Sequence, residues 1–191
     1  MTTHPPAPSR AYVVGDLHGC YHEALDLLEA VGPGPGDRVI FAGDLVDRGP
    51  FPRECVELAM RFEAVLGNHE DKHLRQMHRP RGALLPDHRR TLEALGEEHL
   101  AYLETLPTSI SLPEHGAAVV HAGGYPSVPV EAQDRYHLLH IQCIEPPRPK
   151  SHWPSKAPAT ATFWARLWRG PERLVFGHTV LDRPFVSEHA I

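Results

Sequence analysis

The sequence predicts an α/β fold with a parallel sheet and helices packed on it, and three observations lead there. Short β-rich runs alternate with helix-patterned runs through the first third of the chain. Each β run ends in a polar, glycine-bearing turn: Gly15-Asp16-Leu17-His18-Gly19, Gly43-Asp44-Leu45-Val46-Asp47-Arg48-Gly49 and Gly67-Asn68-His69-Glu70. Ligand sites of open α/β sheets lie beyond the carboxyl ends of the strands, where all three turns fall.

Taken in order, Ala11-Tyr12-Val13-Val14 is the first strand, and Tyr21 to Val31 carries Ala24, Leu25, Leu28 and Val31 at helical spacing. Gly32-Pro33-Gly34-Pro35-Gly36 stops that helix. Arg38 to Ala42 is a second strand, Pro52 to Arg61 a second helix with Pro in its first turn, and Phe62 to Leu66 a third strand. From about Asp71 to Glu104 the pattern is polar and helical, a helical excursion or cap with Leu92, Leu95, Leu100 and Leu103 for one buried face. Pro107 to Leu112 and Gly116 to Val120 read as strands separated by Pro113-Glu114-His115, and the second leads into His121-Ala122-Gly123-Gly124. The segment 126–162 is dense in proline and reads as an irregular loop around a short helix near Gln133 to Ile141. Arg173-Leu174-Val175-Phe176 then runs into Gly177-His178-Thr179.

With 191 residues, a formal charge of -5 and 23% charged residues, the chain reads as one globular domain over 11–191 behind a flexible segment, 1–10. That balance supplies no basic stripe for duplex nucleic acid. Arg79, Arg81, Arg89 and Arg90 cluster locally and read as a solvated face or loop. Cys20, Cys55 and Cys143 are odd in number without CxxC spacing, which suits free thiols in a reducing compartment. The start lacks the apolar region of a signal peptide and no run reaches membrane-span length, so a cytosolic protein is expected.

The turns supply oxygen and imidazole donors, the set that a binuclear hydrolytic centre uses to hold two ions about 3.5–4 Å apart around a shared, activated water. Asp16 and His18 can point at one ion, Asp44 can bridge, and Asn68, His121 and His178 can complete the second. An Asp at a strand end is often only a helix cap, but five such sites at strand ends of one sheet argue against capping alone. A bridging hydroxide would attack phosphorus in line. His69, oriented by Asp47, is the candidate general acid, and Arg48 the candidate phosphate anchor. Arg166 is a second phosphate candidate and Arg169 could take the same part. Glu70 reads as a support for its turn, and His22, His78, His88, His99, His115 and His152 as solvated.

In order and content, GDLHG, GDLVDRG, GNHE, VVHAG and FGHT resemble the calcineurin-like metallophosphoesterases, phosphoprotein-phosphatase branch. The resemblance implies a four-layer αββα sandwich with two divalent metals at the sheet edge, commonly manganese with iron, zinc or a second manganese; the donor set also suits cobalt. It supports the roles given for Asp16, His18, Asp44, Asn68, His121 and His178, the His69–Asp47 acid pair and the Arg48 anchor. Val180 stands where many metallophosphoesterases carry a second His, as in the phosphatase branch. Protein Ser/Thr phosphatases usually have Arg where this chain has Leu66. Val65-Leu66-Gly67-Asn68-His69, the stretch after His121, and Leu167-Trp168-Arg169-Gly170-Pro171-Glu172 are instead similar to the diadenosine tetraphosphatase (ApaH-like) type. The expected substrate is thus a dinucleoside polyphosphate or related phosphoanhydride, with phosphoprotein Ser/Thr phosphatase as the alternative and a silent metal- or phosphate-binding module as a remote one. Family members normally continue past the last His with further strands, and those are expected to be lacking here because the sequence ends at Ile191.

Overall fold

A computed structural model describes residues 9–78 and 84–191. The first βα alternation forms as β1 (Ala11–Val14), α1 (Tyr21–Val31), β2 (Arg38–Phe41), α2 (Pro52–Ala59) and β3 (Glu63–Ala64), with the three strands parallel in the order β1-β2-β3. Gly32 ends α1 at a φ of 55°, and its N–H bonds back to the Leu28 carbonyl. β3 is shorter than the run Phe62 to Leu66 because the Leu66 N–H leaves the ladder for the Pro107 carbonyl, 2.8 Å away.

Three helices follow: α3 (Asn68–His78), α4 (Pro86–Ala94) and α5 (Glu97–Thr105). Leu95 and Leu103 are buried and Leu92 and Leu100 half-buried, so the apolar face forms as spaced. Leu74, Leu95, Leu103 and Leu106 share one cluster with Val56 and Leu58 of α2, so the excursion packs on the main core instead of standing off as a cap.

The second half comprises β4 (Ser109–Leu112), β5 (Ala117–Val120), α6 (Arg135–His140), β6 (Cys143–Glu145), β7 (Arg148–His152), β8 (Thr162–Phe163) and β9 (Arg173–Val175). β5 pairs antiparallel with β4 and parallel with β9. Strand alternation sorts the core into layers. Along β2, Val39 and Phe41 face the helices, whereas Ile40 meets Ala117 and Val119 of β5. Ala118 and Val120 point the other way, onto Trp164 and Trp168, both fully buried. The order is therefore helix, sheet, sheet, and an outer layer made of α6, a short 3-10 turn at Trp164–Arg166 and a small third sheet.

That third sheet corrects the expectation of irregular chain over 126–162. β6 sits between β7 and β8, and a cis Pro146–Pro147 peptide lies in the β6–β7 connection. β7 tolerates Pro149 because it is an edge strand with a single partner. At the C-terminus, Ala190 forms an isolated parallel bridge with Leu174 of β9, and the Ile191 N–H bonds to the Leu174 carbonyl.

Residues 1–8 of the N-terminal segment, Arg79 and Arg81 lie outside the described residues, as does the side chain of His78. Among the described residues no helix is long and apolar enough to cross a membrane. The three cysteines are free thiols.

Candidate metal centre

Backbone hydrogen bonds stitch the polar turns into one surface. The Leu17 and His18 N–H groups donate to the Asp44 carbonyl at 3.0 and 2.8 Å, and the Gly49 N–H to the His18 carbonyl at 2.8 Å. The Gly177 N–H reaches the His121 carbonyl at 2.8 Å, and the His178 N–H reaches Asp16 Oδ1 at 3.0 Å across 162 positions of sequence. Approach this close requires glycine: a Cβ on Gly67 would fall 2.1 Å from the Asp44 nitrogen, and one on Gly43, at a φ of 89°, 2.7 Å from Gly67. His18, Asp44, Asp47, Arg48 and His178 all hold positive φ, a strained conformation that collects where function fixes side-chain direction.

The side chains converge in two donor groups that share Asp44. Ligand atoms of His18, Asp44 and His69 lie within 4.8 Å of one another, as do those of Asp44, His121 and His178. His18 Nδ1 donates to the Val46 carbonyl at 2.9 Å, which leaves its Nε2 as a buried lone pair without a hydrogen-bond partner, 3.6 Å from Asp44 Oδ2 and 3.9 Å from Asp16 Oδ2. His121 Nδ1 likewise donates to the Ala42 carbonyl at 2.7 Å, and its Nε2 faces Asn68 Oδ1 at 2.9 Å and Asp44 Oδ1 at 3.4 Å. Burial and neighbouring His121 push His178 down to about 3, so its imidazole is neutral and able to ligate. Burial opposes the Asp44 charge, yet His121, His69 and the His69 N–H outweigh it and hold the carboxyl below the usual range. The unpartnered His18 Nε2, the neutral His178 ring and a shared carboxylate fit divalent cations. Asp16 belongs to neither group, but its carboxylate adjoins the first.

A cage around Asp47, wholly buried, sits behind this. Its Oδ2 accepts from His69 Nδ1 at 2.6 Å, and its Oδ1 accepts from His73 Nε2 and Thr91 Oγ1, both at 2.7 Å. Burial works against ionisation of Asp47, but these three hydrogen bonds together hold its carboxyl far below the ordinary range. Burial also pulls His69 down; its bond to Asp47 and the Asp44 charge more than offset that and raise its proton affinity. The sequence reading missed His73 and Thr91, although His73 lies one helical turn beyond His69 and so shares its face. It also misplaced two histidines. His88 is 3% exposed and sits 3.5 Å from Asp47, while His99, 2% exposed, accepts from the Gly96 N–H and bonds Glu57. Polar sequence context hid both because each packs on another helix. His22 and His115 are exposed, and His152 is half-buried.

Glu70 supports its turn as expected. Burial and the Asp44 charge push its carboxyl up to about 7, yet four backbone N–H groups occupy it, those of Asp44 and Gly67 on Oε2 and of Leu45 and Val46 on Oε1. A carboxamide would turn an –NH2 toward two of those donors. Glu70→Gln is expected to lower stability by about 3 kcal/mol through two unmade buried hydrogen bonds, read as a fall in Tm of roughly 6–12 °C in thermal unfolding. An unchanged Tm would show that these bonds are not what holds the turn.

A cleft of about 240 Å³ opens over the donor groups, bordered by Asp44, Arg48, Asn68, His69, Trp153 and His178. Arg48 is exposed at its rim, and its carbonyl accepts from Arg90. Arg166 and Arg169 are not brought to this cleft. They border a separate depression near the C-terminus, where Arg166 lies over the Phe185 ring, 5.8 Å from its centre.

The family model described as calcineurin-like phosphoesterase matches residues 9–184. The chain belongs to that family. A symmetrical bis(5'-nucleosyl)-tetraphosphatase from Methylobacillus flagellatus is 33% identical over 137 residues, 66% of this chain and 47% of that protein. The serine/threonine-protein phosphatase PP2A-like PPG1 of Saccharomyces cerevisiae is 36% identical over 72 residues, 34% of this chain and 20% of that protein. A crystal structure described, provisionally, as that of a diadenosine tetraphosphatase superposes with a TM-score of 0.77 at 32% identity, covering 92% of this chain and 77% of that one. The chain spans less than half the length of the curated relatives it matches here.

Proposed function

We propose that this chain hydrolyses phosphoric anhydrides of the dinucleoside polyphosphate type at a two-metal centre. The observation that carries the reading is Asp44, common to two groups of donor atoms and facing a buried His18 Nε2 that has no hydrogen-bond partner. Asp16, His18 and Asp44 would hold one divalent ion, and Asp44, Asn68, His121 and His178 the other, with manganese as the foremost candidate and iron, zinc or cobalt also compatible with the donors. Bound there, such ions supply Lewis-acid activation of water and neutralise charge on the phosphorus oxygens.

The protein's own groups do the rest. The Arg48 guanidinium, at the rim of the cleft, binds the non-bridging oxygens of the scissile phosphate. His69 carries a proton on Nε2 and delivers it to the departing oxygen, while Asp47 fixes the ring through Nδ1 and stabilises its cationic form. His73 and Thr91 occupy the other Asp47 oxygen, so the carboxylate cannot swing away from His69.

An anhydride is favoured over a phosphoprotein because Leu66, 1% exposed in the core, stands where protein Ser/Thr phosphatases resembling this chain carry a phosphate-binding Arg. The nucleotide-hydrolase relative also covers more of the chain than the protein phosphatase does. Steady-state assays with manganese on diadenosine tetraphosphate, inorganic tripolyphosphate and a phosphothreonine peptide test this. The dinucleotide is expected to give the highest kcat/KM; clear preference for the peptide would overturn the anhydride reading in favour of a protein phosphatase.

A further inference from the structure

Metal donors, Arg48 and the His69 acid account for the phosphate part of such a substrate and leave its nucleoside without a partner. The chain has three tryptophans. Trp164 and Trp168 are fully buried, whereas Trp153 is 60% exposed and borders the same cleft as Asp44 and Arg48. Its ring centre lies 6.0 Å from that of His178, with the planes tilted by 40°. Val180, 88% exposed, extends the apolar border on that side.

The indole stands on an anchored support. His152, just before it, pairs with Cys143 at the inner end of the β6–β7 ladder, and the Lys156 N–H, in the following 3-10 turn, bonds to the Trp153 carbonyl at 2.9 Å. A mostly exposed indole carried on that backbone beside a charged cleft offers π-surface to a planar ligand. In a nucleotide the base is separated from its first phosphate by one ribose. A base joined to a phosphate held next to His178 can therefore reach Trp153, whose ring centre is 6.0 Å from that of His178.

Resting on the anhydride reading above, we propose that Trp153 is the stacking platform for a nucleobase of the substrate, making nucleoside polyphosphates the preferred class over inorganic ones and phosphopeptides. Stacking uses the face that every base presents, so the platform selects for a base without discriminating sharply among bases. An interaction that holds the nucleoside away from the reacting phosphorus acts on binding more than on chemistry, so it shows in KM.

Two measurements on the intact chain test this. With Trp153 the one exposed indole, ADP titration is expected to quench the long-wavelength tryptophan emission, whereas inorganic pyrophosphate leaves it largely intact; emission indifferent to ADP would overturn the proposal without reference to activity. In kinetics, Trp153→Ala should raise KM for diadenosine tetraphosphate roughly tenfold and shift KM for tripolyphosphate far less, with Trp153→Phe restoring most of the loss. Equal effects on both substrates, or no effect on the dinucleotide, would also overturn it. If the unaltered chain cleaves neither substrate, the anhydride reading fails, and the ADP titration still decides whether Trp153 receives a base.

Discussion

Replacing Asp44 by Asn is expected to abolish metal retention and to lower turnover by about a thousandfold or more, equivalent to about 4 kcal/mol of transition-state stabilisation. Asp44 is 2% exposed and shared between both donor groups, so it contributes the one negative charge that each ion would see in common. An asparagine preserves shape, and its carbonyl can still accept the His69 N–H that Asp44 Oδ1 receives at 3.0 Å. Its –NH2 can donate to the unpartnered His18 Nε2, 3.6 Å from the present Oδ2. The metal-free variant should still unfold in one cooperative transition, while elemental analysis finds it empty. That pairing separates loss of metal from loss of fold. Full metal content with normal turnover would end the assignment of Asp44 as the bridge.

Replacing His69 by Asn should lower kcat by roughly 10²–10⁴-fold on substrates with poor leaving groups. The penalty should shrink on p-nitrophenyl phosphate, whose leaving oxygen departs without needing a proton. The hydrogen bond of 2.6 Å to Asp47 and the raised proton affinity are those of a poised acid. His69 also lies within the first donor group, so metal analysis must accompany the kinetics. An acid leaves the metal content intact when removed. Loss of metal, or an equal penalty on every leaving group, would instead identify His69 as a ligand.

Much of this could be read in one dimension. A β-rich run ending in Gly-Asp marks a strand end, and α1 has the bounds that its apolar spacing and its glycine stop imply. Asp16, His18, Asp44, Asn68, His121 and His178 all follow strands, and knowledge of chain order was enough to nominate them. Periodicity was less useful where burial comes from distant chain. His88 and His99 lie in polar stretches, yet neighbouring helices bury them, and the proline-dense segment pairs as a hairpin because its edge strand needs hydrogen bonds on one side alone.

Chain order, then, dictated the elements, the polar turns that end them and the residue types available for chemistry. Tertiary structure alone decided which of those groups meet: Asp16 with His178 across 162 positions, Asp47 with Thr91 from α4, Trp153 rather than Arg166 at the cleft. Local sequence records whether a residue's neighbours are apolar, a property of a few adjacent positions. Proximity between remote residues follows from strand register and the packing of one sheet on the other, which no local pattern encodes.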